Sequence, residues 1–176
     1  MGPIYWADSN GPMPQRMPAP GSEGTDAAEA APLAGVHLAA EVRFEGGAPS
    51  NAVAVGVDAV DVRRLAGALE RTPAMRERCF TPTELVDAAT GGDEVGHLGI
   101  CFAAKEAVAK ALGCGLGPVG FHDIELVRGP SGAPTLALGG AATPLAEAAG
   151  IAGWLVSATH TATVAQTVVI ALDSRP

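Results

Sequence analysis

The chain has 176 residues, 48% of them hydrophobic but only 4% aromatic, and carries a formal net charge of −8. That length holds one domain with an appendage, whose core must be built from Ala, Val and Leu. The acidic balance argues against a nucleic-acid binder, which needs a basic face to displace phosphate counterions, while leaving room for local basic clusters against the net sign.

Cys79, Cys101 and Cys114 share no CxxC spacing. An odd set of this kind reads as reduced thiols in a cytoplasm, not as a disulfide frame or a zinc site. Met1 to Arg16 has neither a basic n-region nor an apolar h-region, so no secretory signal is expected. No stretch approaches the ~18 apolar residues of a membrane span. The expectation is a soluble, cytoplasmic protein without a membrane partner.

Six prolines among Gly, Ser, Ala and acids fill residues 1 to 33. Such a segment cannot bury enough apolar surface to offset its ordering entropy, so it is expected to be disordered. Ile4, Tyr5 and Trp6 interrupt it, as a docking hook or an incidental tag. A short strand at Val36 to Phe44 precedes the Gly46–Gly47 break. Residues 1–50 are thus set apart as an extension, and 51–176 as the folded domain.

Ala52 to Asp58 has strand character and ends in an acid. Val60 to Arg71 has helical spacing, with Val62, Leu65 and Leu69 on one face and Arg63, Arg64 and Arg71 outward or at its edges. Thr81-Pro82-Thr83-Glu84 is a capping box with proline at N1, opening a helix to about Ala89. Gly91–Gly92 breaks the chain before a strong helix, Leu98 to Leu112, closed by Gly113. A glycine loop follows over Gly115–Gly120. His122 to Arg128 and Pro134 to Leu138 form a hairpin around Pro130-Ser131-Gly132, and Thr143 to Ala149 is a short helix. Trp154 to Thr159 and Thr163 to Leu172 close the domain as strands. The order predicts an α+β fold, a mainly antiparallel sheet packed on one long central helix.

Three constellations could carry chemistry. Asp58 ends a hydrophobic strand and Asp61 follows one helical turn on, so both can face one point; the plain alternative is a helix N-cap with an N3 acid. Glu106 sits among alanines on the long helix with Lys105 and Lys110; Glu106 and Lys110 are also spaced as an ordinary surface ion pair. Ser157-Ala158-Thr159-His160-Thr161 places polar residues at a strand end, where the histidine could bind phosphate, act as a base or cap a turn. A serine hydrolase built on Ser157 and His160 is disfavoured, because no Gly-x-Ser-x-Gly elbow is present. Gly115-Leu116-Gly117-Pro118-Val119-Gly120 is formally GxGxxG but follows a helix, which rejects a dinucleotide fold; its amides could still meet a phosphate.

Taken in order, these motifs resemble the holo-acyl-carrier-protein synthase family of 4′-phosphopantetheinyl transferases. The matching stretches are Gly56-Val57-Asp58-Ala59-Val60-Asp61, Phe80-Thr81-Pro82-Thr83-Glu84-Leu85, Phe102-Ala103-Ala104-Lys105-Glu106-Ala107 with Lys110, Gly113-Cys114-Gly115, Asp123-Ile124-Glu125, Ser131-Gly132-Ala133-Pro134 and Ser157-Ala158-Thr159-His160-Thr161. They cover about Val53 to Leu172. The resemblance implies transfer of phosphopantetheine from coenzyme A to a serine of an acyl or peptidyl carrier protein, releasing 3′,5′-ADP. It implies Mg²⁺ on Asp58 and Glu106, with Lys105, Lys110 and His160, beside Gly113, Gly115, Ser157 and Thr159, toward the coenzyme. Lys110 would also help protonate the leaving group, and Asp61 would accept the serine proton. Arg64 and Arg71 would dock the carrier's acidic helix, and a homotrimer with sites between subunits is implied. The alternative is a non-catalytic scaffold of the same fold that binds a carrier protein or coenzyme A. Two departures stand out, Cys101 in place of a usual arginine and Thr159 in place of the second serine of its run, and Leu155 stands where a histidine is frequent.

Overall fold

The computed structural model describes residues 51–129 and 132–174. The expectations for residues 1–50, including the strand at Val36 to Phe44, lie outside these residues, as do Pro130 and Ser131. The chain order is β1 (Ala52–Asp61), α1 (Val62–Arg71), α2 (Met75–Cys79), α3 (Pro82–Thr90) and α4 (Glu94–Ala111), then a 3-10 turn (Phe121–Asp123), β2 (Ile124–Arg128), β3 (Pro134–Leu138), α5 (Ala142–Ala148), β4 (Ile151–His160) and β5 (Val164–Asp173). All pairing is antiparallel, in a three-stranded sheet ordered β1-β5-β4 and a β2-β3 hairpin. The α+β class and the long helix against the sheet are as expected.

Element boundaries moved for local reasons. β1 continues three residues past Asp58, because Val57-Asp58-Ala59-Val60 keeps pairing with β5 from Val168 to Ala165. Asp61, not Asp58, therefore caps α1, its Oδ1 accepting the Arg64 amide at 2.9 Å. α4 starts at Glu94, four residues earlier than the apolar pattern suggests, since the Asp93 carboxylate caps it at the Gly96 amide. The Thr81–Glu84 capping box forms as expected. The five-residue α2 carries too little periodicity to be read in advance, and His122 belongs to the 3-10 turn instead of the strand.

One sheet face carries α4. Along β1 the even positions turn inward, with Gly56 buried, while Val53, Val55 and Val57 point the other way. Gly56 has to be glycine because a β-carbon there would run into the Ala107 carbonyl of α4. In the middle of the sheet Thr167 donates its hydroxyl to Ile100 O at 3.1 Å, and Gly99 lies over Ala165. Ala103, Ala104, Ala107 and Ala109 are wholly buried. Small residues on both elements let helix and sheet backbones approach closely, which replaces the missing aromatic bulk.

Candidate active site

Asp58 lies on the inward face of β1, two residues beyond the glycine that admits α4. Lys110 in the last turn of α4 donates to Asp58 Oδ1 at 2.8 Å and to Val57 O at 3.0 Å. The Lys110 side chain is 50% exposed and that of Asp58 18%, so the pair sits at the solvent-facing end of the helix–sheet contact, not inside the core. Glu106, one turn back on α4, is half-buried. Burial raises the proton affinity of its carboxyl, the Asp58 charge raises it further, and Lys110 opposes both. The two expected carboxylates are thus brought together, with the lysine beside them.

Two like charges held near one another and both partly buried are an arrangement that a divalent cation relieves. Oxygen-only donors suit a hard cation such as Mg²⁺. Among the described residues there is no group of three or more His, Cys, Asp or Glu that could hold a metal. A cation on Asp58 and Glu106 would therefore take its remaining ligands from phosphate and water.

Several expected site residues are placed elsewhere. Asp61 lies three positions from Asp58 on a strand, hence on the opposite face, and one of its oxygens is committed to the α1 cap. It does not share a point with Asp58. Lys105 is completely buried, and its ammonium is taken up by Glu84 Oε2 at 2.8 Å, Phe121 O at 2.8 Å and Ile124 O. Three donors with three partners leave none for a coenzyme phosphate. Glu84 is equally buried and accepts the Thr81 and Leu126 amides, so this pair joins α3, α4 and β2 as a structural joint. The amides of Gly113 and Gly115 turn back to Lys110 O and Ala109 O, closing α4 through positive φ angles of 72° and 67°. They are not aimed at a ligand.

Ser157 and His160 fall on opposite faces of β4, which removes the serine-hydrolase couple. Ser157 and Thr159 point to the uncovered sheet face, pairing across with Val168 and Gln166 of β5. His160 turns inward but meets α4 at Gly96, ten residues before Glu106. At the helical rise that is about 15 Å along the axis, so one chain alone does not gather His160 with the carboxylates. Cys101 is buried beside the Glu84–Lys105 pair and its thiol is pushed up by burial. In this chain the position serves the core.

Arg64 and Arg71 are exposed on α1 as expected. A groove of about 410 Å³ opens beside them, with Ala68, Met75, Cys79 and Phe121 in its wall and Arg71 and Arg78 also lining it. Met75 and Arg78 were missed by sequence reasoning because they belong to the short α2. The run Met75-Arg76-Glu77-Arg78, two arginines around one acid, was the available signal.

The family model described as the 4′-phosphopantetheinyl transferase superfamily matches residues 54–165. A holo-[acyl-carrier-protein] synthase of Beutenbergia cavernae is 43% identical over 120 residues, spanning 68% of this chain and 97% of the relative. Among solved structures, the holo-[acyl-carrier-protein] synthase of Neisseria meningitidis superposes with a TM-score of 0.62 at 32% identity, covering 67% of this chain and 96% of that one. A holo-(acyl-carrier-protein) synthase of Bacillus anthracis, in complex with coenzyme A (3′,5′-ADP), gives 0.58 at 28% identity over 70% and 98%.

The two lysines should separate cleanly. Lys105→Met leaves the Glu84 charge buried without its partner and is expected to cost about 3–5 kcal/mol of stability in urea titration. Lys110→Met, at the exposed rim, should change it by less than about 1 kcal/mol. For Glu106 the sign follows from its raised proton affinity. Below about pH 4.5, the ordinary value, the carboxyl is protonated in folded and unfolded states and carries no penalty; above its raised folded value the penalty is complete. In metal-free buffer Glu106→Gln should therefore be more stable than the unsubstituted protein at pH 7, with the gap closing on acidification, as read by thermal melts across pH.

Proposed function

This chain belongs to the 4′-phosphopantetheinyl transferase superfamily, and on that premise we propose that it moves the phosphopantetheine arm of coenzyme A onto a carrier-protein serine. The observation that carries the reading is the convergence of Asp58, Glu106 and Lys110 where the end of α4 meets β1. A Mg²⁺ held by Asp58 and Glu106 would supply neutralisation of the diphosphate charge when bound. The serine Oγ attacks the phosphorus that bears the pantetheine, the phosphoanhydride P–O bond breaks, and 3′,5′-ADP leaves. The serine proton goes to a carboxylate of this pair, directly or through water. Lys110 uses two of its three N–H groups on Asp58 and Val57, so the third can donate to the leaving oxygens. His160 serves a coenzyme phosphate away from the reacting centre.

The carrier docks on α1 and the adjoining groove. Arg64, Arg71 and Arg78 are exposed around an apolar floor containing Ala68 and Met75, a locally basic face on an acidic chain that complements an acidic helix. The working form is a homotrimer. Its support is the bare sheet face, where Val53, Val55 and Val57 are 44%, 66% and 48% exposed and Ile170, Val168 and Leu155 continue the apolar rows. A second copy on that face would cover the exposed valines. Free thiols at Cys79, Cys101 and Cys114 suit a reducing cytoplasm. No helix of the described residues is long and apolar enough to cross a membrane.

Intact mass spectrometry of an apo-carrier protein with coenzyme A and Mg²⁺ tests the activity. The expected result is a mass gain of one phosphopantetheine, lost with EDTA and reduced by about 100-fold or more in rate in Asp58→Ala and Glu106→Ala. Carrier binding with no mass gain would instead make the chain a scaffold. Sedimentation tests the assembly: Val57→Asp, placing a charge on the bare face, should convert the trimer to monomers, and an unchanged trimer would refute that interface.

A further inference from the structure

At the N-terminal end of α4, away from Asp58 and Glu106, three residues interlock. His160 closes β4 with its side chain 24% exposed, and its buried Nδ1 faces Asp93 Oδ2 at 3.5 Å. The other oxygen of Asp93 accepts the Gly96 amide at 2.9 Å. Between them, a β-carbon on Gly96 would lie 2.5 Å from Asp93 Oδ2 and 2.6 Å from His160 Nδ1. Gly96 sits in the first turn of α4 with ordinary helical backbone, so no positive φ calls for glycine there. The space it leaves is what lets the carboxylate and the imidazole meet.

We infer that Asp93 is a positioning residue for His160: it holds Nδ1 from the protein side and so presents Nε2 outward to a phosphate of coenzyme A. Helix cap and histidine clamp are then one carboxylate, each oxygen having its own task. The contact is longer than a formed hydrogen bond, and such catalytic-site pairs tighten when ligand arrives. A fixed second partner also selects which ring nitrogen carries the proton toward the protein. The inference rests on His160 serving the coenzyme, as proposed above.

The test exploits the fact that Asn and Ser cap helices about as well as Asp. Asp93→Asn keeps the cap but removes the charge facing His160; Asp93→Ser keeps the cap but is too short to reach it. Steady-state kinetics with coenzyme A and an apo-carrier protein should show KM for coenzyme A raised about tenfold in both, with kcat within about twofold and carrier KM unchanged. His160→Ala is run alongside. If His160→Ala raises the coenzyme KM and Asp93→Ser does not, the positioning role is overturned while the phosphate role of His160 stands. If His160→Ala leaves the coenzyme KM unaltered, His160 does not serve the coenzyme and both fall. A melting temperature for each variant accompanies the kinetics; should Asp93→Asn lose stability, Asp93→Ser decides.

Discussion

The close seating of α4 on β1 underlies the whole site. Gly56 admits the Ala107 carbonyl, and only at that separation does Lys110 reach both Val57 O and the Asp58 carboxylate. Glu106 then comes under the influence of Asp58 because both belong to the same contact. A helix held off the strand by larger side chains would keep these groups apart. Alanine here is a functional choice as much as a packing one.

Two lysines five residues apart on one helix do opposite jobs. Lys105 is enclosed with Glu84 and two carbonyls, where a lone charge would be intolerable and a fully partnered one locks three elements together. Lys110 lies at a solvent rim with a donor to spare. Five residues turn the helix by 500°, equivalent to 140°, at 100° per residue, so one faces the core and the other solvent beside Asp58. The joint at Lys105 also holds the segment on which Glu106 sits, so stability and active-site geometry are tied to the same ion pair.

The chain keeps its charges regional. An overall acidic protein lines one groove with Arg71 and Arg78, Arg64 being exposed on the same helix as Arg71, and gathers Asp58 and Glu106 at the end of α4. Its remaining anomaly is apolar: a row of valines facing outward on an edge strand, which is hazardous in a free monomer and natural beneath another subunit.

Much of this was legible in order. The α+β class, the capping box at Thr81 and the hairpin of β2 and β3 followed from local patterns, while the pairing of Asp58 with Glu106 was implied only by the family resemblance. What the pattern could not decide was orientation. Whether Val57 to Asp61 continues as strand or starts a helix changes which face Asp61 takes, and pairing with β5, far along the chain, settles it as strand. Lys105 and Lys110 look alike in sequence; burial distinguishes them, and burial depends on the 121–126 segment folding over α4. Gly96 lies outside the helix expected from the apolar pattern, and only the fold puts it in the first turn of α4 with His160 against it. Residue type and spacing determined which groups are available, because they set local geometry; tertiary contacts between distant segments decided which of those groups keep their charge for chemistry and which spend it on the fold.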